Sequence, residues 1–191
     1  EIKGIILSSK PYVDEIERFR RIPNVRAIVV RIDSPGGAVA PSQEIYEAIT
    51  RARVKKPVFA SMGSVAASGG YYIASAAEKI YANPGTLTGS IGVAMHMRNL
   101  QGLLSKIGVD SAIIKSGEFK DTGSPYRKMT PKESRYLQAV SDDIYDQFLE
   151  AVARGRKMDR QQAEALADGK IYTGKKAREA GLVDSLGGLG T

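Results

Sequence analysis

The chain has 191 residues, 42% of them hydrophobic and 26% charged, ordinary globular usage that excludes wholesale disorder and fibrous repeats. With no Cys and one His it excludes disulfide frameworks, thiolate metal sites and multi-histidine centres, so neither a metal nor a cofactor is expected. The net charge of +7 comes from 28 Lys and Arg against 21 Asp and Glu, dispersed along the chain without a basic stripe or any Trp, and nucleic acid is not an expected partner.

Ile2–Ser8 reads as a buried strand, and Pro11–Arg21 as a helix with Val13, Ile16 and Phe19 on one face. Arg26–Asp33 is a second strand, stopped by Ser34-Pro35-Gly36-Gly37. Ser42–Arg53 is helical and ends in the cluster Arg51, Arg53, Lys55 and Lys56, where the helix dipole favours cations. Pro57–Met62 is a third strand, followed by a Ser- and Gly-rich turn and a helix over Tyr71–Ala77. Lys79–Ala82, Ile91–Ala94 and Ala112–Lys115 read as short strands.

The last third is helical. Thr130-Pro131-Lys132-Glu133 combines a capping box with Pro at the first helical position. Leu137, Val140, Ile144, Phe148 and Val152 continue an apolar stripe, with Gly155 as the expected stop. Asp159-Arg160-Gln161-Gln162 opens a shorter helix with a second capping-box pattern, stopped by Gly169, and Thr173–Ala180 is the last helix before a loose Gly-rich tail from Ser185 to Thr191. Alternating strands and helices predict an α/β sheet covered by helices. No linker divides the chain, so 1–191 reads as one domain with an α/β core over 1–128 and a mainly helical part over 129–191. Apolar runs reach about five residues, far below the ~20 of a membrane-spanning helix.

The most unusual segment is Gly63-Ser64-Val65-Ala66-Ala67-Ser68-Gly69-Gly70-Tyr71-Tyr72, a strand entering a helix through small residues. A serine on such a turn stands clear for a substrate carbonyl, and the helix N-terminus offers N–H groups to a developing oxyanion. The same residues also suit a plain N-capping serine. A nucleophilic serine needs a base. His96 lies among apolar residues without an acidic neighbour. A lysine can serve once burial lowers its pKa from about 10.4, and Lys115 and Lys120 both lie in the Gly-containing polar loop Lys115–Pro125. The paired glycines Gly36 and Gly37 suit an oxyanion hole or an ordinary turn.

Taken together, Ile32–Gly37, Ser61–Tyr72, Asn83–Gly92, Lys115–Pro125 and Ala167–Gly174 closely resemble the signal peptide peptidase A family (peptidase family S49), of the Clp protease/crotonase superfamily. The resemblance covers essentially the whole chain in order. It implies an α/β fold of repeated β-β-α units with a helical C-terminal portion, and a serine endopeptidase with a Ser–Lys dyad. Carried over by motif, it makes Ser68 the nucleophile and Lys120, not Lys115, the general base. The backbone N–H groups of Gly36 and Gly69 become the oxyanion donors, and Ser90 the residue that orients the lysine. The implied substrates are extended apolar peptides such as cleaved signal peptides, and the implied assembly is a homo-oligomeric ring whose protomers share active sites.

It also implies a single-pass anchor in a bacterial or archaeal inner membrane, with the catalytic domain on the extracytoplasmic side. The chain opens in mid-strand without Met, so that anchor is expected to precede residue 1, and the Ser8–Pro11 segment is short for the family pattern. The competing readings are a non-catalytic membrane-associated scaffold on the same fold and a crotonase-type acyl-CoA enzyme. The latter would need carboxylates, and none lies near Ser68-Gly69-Gly70 in sequence.

Overall fold

The computed structural model describes residues 1–190 and divides the chain into two compact units, Glu1–Gly92 with Asp146–Thr191, and Val93–Tyr145. The first unit holds the α/β sheet. Its elements begin with β1 (Ile2–Lys3), α1 (Lys10–Arg21), β2 (Ile28–Ser34), α2 (Val39–Arg53), β3 (Val58–Ala67), α3 (Gly69–Ser75), β4 (Lys79–Ala82) and β5 (Leu87–Gly89). In the second unit α4 (Gln101–Lys106) precedes α5 (Pro131–Arg156), whose residues from Asp146 onward belong to the first. The chain closes with α6 (Arg160–Ala165), β6 (Ile171–Thr173), α7 (Gly174–Glu179) and β7 (Ser185–Leu186).

The strands form one sheet in the order β1-β2-β3-β4-β7, all parallel, with β5 parallel to β3 and β6 antiparallel to β5. On β2, Ile28, Val30 and Ile32 are buried while Val29 is exposed, the period-two signature of a sheet with one well-covered face. Ile45, Ala48, Ile49 and Ala52 recur at helical spacing on α2 and are all buried, which lays that helix into the core. Tyr71, Ile73 and Ala74 of α3 are wholly buried, so the helix after Ser68 is fixed on every side.

Several sequence expectations change. The first strand is paired only at Ile2–Lys3, with Ile6 forming a separate bridge to Gly37. Ser185–Leu186, expected in a loose tail, pairs with Tyr81–Ala82 as an edge strand; Thr191 lies outside the described residues. Helix α5 runs one residue past Gly155, to Arg156, and the glycine serves close packing: a Cβ there would sit 2.1 Å from the Ser75 carbonyl oxygen. Ile91–Ala94 and Ala112–Lys115 are not strands. Their composition favours extended backbone, but a strand needs a continuous ladder, and these segments lack one among the described residues: Ile91 accepts a single backbone bond, from the Gly169 N–H at 3.0 Å.

In the second unit, the start of α5 matches its sequence signal closely. The Glu133 N–H donates to Thr130 Oγ1 at 3.2 Å and the Thr130 N–H to Glu133 Oε2 at 2.8 Å, the two halves of a capping box. Helix α4 has no buried residue.

Candidate active site

Ser68 stands between the end of β3 and the first turn of α3, at φ 53° and ψ −122°. A non-glycine residue in that region costs about 1–3 kcal/mol and persists only where the surroundings hold it. Two backbone hydrogen bonds do so: the Ser68 N–H donates to the Gly89 carbonyl at 2.9 Å, and the Tyr72 N–H to the Ser68 carbonyl at 2.9 Å. The hydroxyl does not cap the helix, and within its unit it makes no hydrogen bond. The bland expectation of an N-capping serine is therefore not met. The side chain is half-buried and uncommitted.

The Ser34–Gly37 turn presses against this serine. Gly36 has φ 101°, and a Cβ on it would meet Gly69 N at 2.7 Å and Ser68 Cβ at 2.8 Å. A Cβ on Gly69 would meet Ser42 Oγ at 2.6 Å and Gly37 N at 3.3 Å. Only backbone fits between the two turns. The N–H groups of Gly69 and Gly37 have no acceptor among the described residues, whereas the Gly36 N–H donates to buried Ser34 Oγ at 3.1 Å. Of the glycines singled out from sequence, Gly69 thus has its donor free and Gly36 does not. The sequence points to the Gly36-Gly37 pair without revealing which N–H the turn consumes; the structure leaves that of Gly37 free.

Ser90 reaches the same edge of the sheet. Ala67 and Gly89 are paired across β3 and β5, so Ser68 and Ser90 are the next residues on adjacent parallel strands. Ser90 also has positive φ, 50°, and its N–H donates to the Lys170 carbonyl at 2.8 Å.

Lys120 belongs to the second unit. Its side chain is exposed, and within that unit it has no hydrogen bond or ion pair. The loop around it is firmly tied. Lys115 Nζ donates to Asp121 Oδ1 at 2.6 Å and to the Glu118 carbonyl at 2.9 Å. Arg127 Nε donates to Asp121 Oδ2 at 2.6 Å, while its two terminal nitrogens reach both oxygens of buried Glu133. The chain of charges Lys115–Asp121–Arg127–Glu133 therefore pins the residue next to Lys120 to the start of α5. Lys115 is a strut in this ladder, and Lys120 is the lysine left over. Sequence reasoning missed Asp121 and Arg127, since their pairing depends on how the loop folds back.

The ladder sets a pH limit. Arg127, and then Lys115, hold the Asp121 carboxyl well below its ordinary range. Hydrogen bonds from Arg127 and the Thr130 N–H lower Glu133 from 4.5 to about 2. Because the folded values are depressed, this stabilisation is complete above the ordinary carboxylate range and is lost as pH falls toward 2. Amide exchange across 115–133, corrected for intrinsic rates, should be slow at pH 5 and above and accelerate on acidification toward pH 2. Glu133→Gln should make it fast at every pH; unchanged protection in that variant would contradict the ladder.

His96 is exposed in a segment without regular structure, and within its unit it has no hydrogen-bond partner. Replacing it with Ala should leave peptide hydrolysis within about twofold of the parent, as for an ordinary surface substitution; a large loss would restore histidine as a base. Among the described residues no group of acidic or histidine side chains is arranged to hold a metal ion, and no helix is long and apolar enough to cross a membrane.

The end of β3 thus brings an uncommitted serine hydroxyl next to two free backbone N–H donors, those of Gly69 and Gly37, an arrangement that could receive a developing oxyanion. Residues 50–191 match peptidase family S49, and the chain belongs to that family. It is 50% identical over 161 residues to a putative protease of Synechocystis, covering 84% of this chain and 58% of that protein. It is 40% identical over 179 residues to a putative signal peptide peptidase SppA of Enterococcus faecium, covering 92% and 52% respectively. The chloroplastic serine protease SPPA of Arabidopsis thaliana is 37% identical over 187 residues, covering 97% of this chain and 28% of that protein. The chain thus spans little more than half the length of the first two relatives.

Proposed function

We propose that this protein is a serine endopeptidase with a Ser68–Lys120 dyad, acting on extended apolar peptides of the kind left when signal peptides are cleaved. The observation that carries the reading is Ser68 itself, held at positive φ with its hydroxyl free and the unpaired N–H groups of Gly69 and Gly37 beside it. Neutral Lys120 removes the Ser68 proton as the oxygen attacks the scissile carbonyl. The tetrahedral oxyanion is received by the Gly69 and Gly37 N–H groups, while Gly36, with its own N–H on Ser34, supplies the bend. The lysine then protonates the leaving amine, and water releases the acyl group by the reverse steps. Ser90 orients the lysine amine from the adjacent strand end.

The assembly belongs to the same reading. Exposed Ile113 and Ile114 flank the Lys120 loop, apolar surface that a neighbouring protomer would cover. We place the catalytic part on the extracytoplasmic face of a bacterial or archaeal inner membrane, tethered by an anchor preceding residue 1. An internally quenched apolar peptide incubated with the purified protein tests the activity. Cleavage with an acyl group trapped on Ser68, located by peptide mass spectrometry, is expected; cleavage with acylation at another residue would overturn the assignment.

A further inference from the structure

Strand β3 changes neighbours on its way to Ser68. Phe59–Ser61 pair with Lys79–Tyr81 of β4, whereas Val65–Ala67 pair with Leu87–Gly89 of β5. Against β2 the register jumps at the same place: Ile32 lies opposite Met62, but Ser34 lies opposite Ala66. Asp33 therefore faces Gly63, Ser64 and Val65, a bulge with two extra residues. Such a bulge bends a strand and re-aims its downstream residues, at the risk of stranding buried peptide groups.

Side chains from both neighbouring strands hold this one. Asp33 Oδ1 accepts the Val65 N–H at 3.0 Å. Buried Thr86 donates its hydroxyl to the Gly63 carbonyl at 2.7 Å, and buried Thr88 donates to the Ala66 carbonyl at 2.7 Å. Gly63 makes room for the carboxylate, since a Cβ there would lie 2.6 Å from Asp33 Cγ. Ser68 comes two residues after Ala66, the last clamped residue, and its strained backbone needs such over-determination.

We propose that Asp33 and Thr86 are positioning residues for catalysis, clamping the β3 bulge so that Ser68 Oγ is aimed at the scissile carbonyl. The inference rests on Ser68 being the nucleophile. The Asp33 carboxylate acts as a hydrogen-bond acceptor toward backbone, not as an acid or base toward substrate, so an amide oxygen replaces it. A misaimed nucleophile still binds peptide but attacks poorly, and the loss falls on kcat rather than KM.

The test measures kcat and KM on a quenched peptide, together with the rate at which a fluorophosphonate labels Ser68. Asp33→Ala is expected to lower kcat and labelling by about 100-fold with KM within about twofold, and Thr86→Val by about tenfold. Asp33→Asn should restore both to within about threefold of the parent. The clamp is overturned if Asp33→Ala keeps parental kcat, or if Asp33→Asn is as impaired as Asp33→Ala. Should Asp33→Ala fail to fold, the nearly isosteric Thr86→Val decides, and an unchanged kcat there overturns it equally. Failure of the underlying reading looks different: the parent itself would not be labelled at Ser68.

Discussion

Ser68→Ala is expected to remove peptide hydrolysis almost completely, by about four to six orders of magnitude in kcat, because the group that forms the acyl-enzyme is gone. The fold should not notice. The Ser68 hydroxyl makes no hydrogen bond within its unit, its N–H and carbonyl bonds to Gly89 and Tyr72 are backbone bonds that Ala keeps, and the positive φ is borne by either residue. A thermal midpoint within a few degrees of the parent should therefore accompany the loss. That pairing separates a nucleophile from a structural cap, since removing a true N-cap costs about 0.5–2 kcal/mol of stability. Residual hydrolysis above about 1% of the parent rate, in protein free of contaminating protease, would sink the assignment.

Where local chemistry writes a feature into a few adjacent residues, the sequence was sufficient. The capping box at Thr130–Glu133 and the one at Asp159–Gln162 both form with the expected partners. In the apolar stripe of α5, Phe148 and Val152 are buried while Leu137, Val140 and Ile144 are half-buried, and the small-residue turn at Ser68 lies between a strand and a helix. Features set by pairing between distant segments were not legible. β5, β6 and β7 are two or three residues long and exist because a neighbour's edge is open to them. The Asp33 bulge depends on a register that no window of sequence displays. The preference for Gly37 over Gly36 as a free donor turns on whether Ser34 Oγ points inward. The residues alone do not separate Lys115 from Lys120; the family resemblance does, and the structure adds that Asp121 pairs with Lys115.

That distinction carries the second large effect. Lys120→Ala should inactivate the enzyme nearly as fully as Ser68→Ala, since a serine without its base is a poor nucleophile. Lys115→Ala should cost less than about tenfold, because Arg127 still holds Asp121 and the loop keeps its tie to Glu133.

Where the two catalytic groups come from is a separate matter. The Lys120 side chain is exposed and unpaired within its own unit, and the exposed Ile113 and Ile114 nearby in sequence call for a covering surface. A site shared between protomers supplies one. Inactive Ser68→Ala and Lys120→Ala proteins, mixed under conditions where subunits exchange, should then regain part of the parental rate. Each mixed interface can unite an intact Ser68 with an intact Lys120. If exchange is demonstrated with differently labelled subunits and hydrolysis stays at zero, the dyad lies within one chain and the shared-site reading falls.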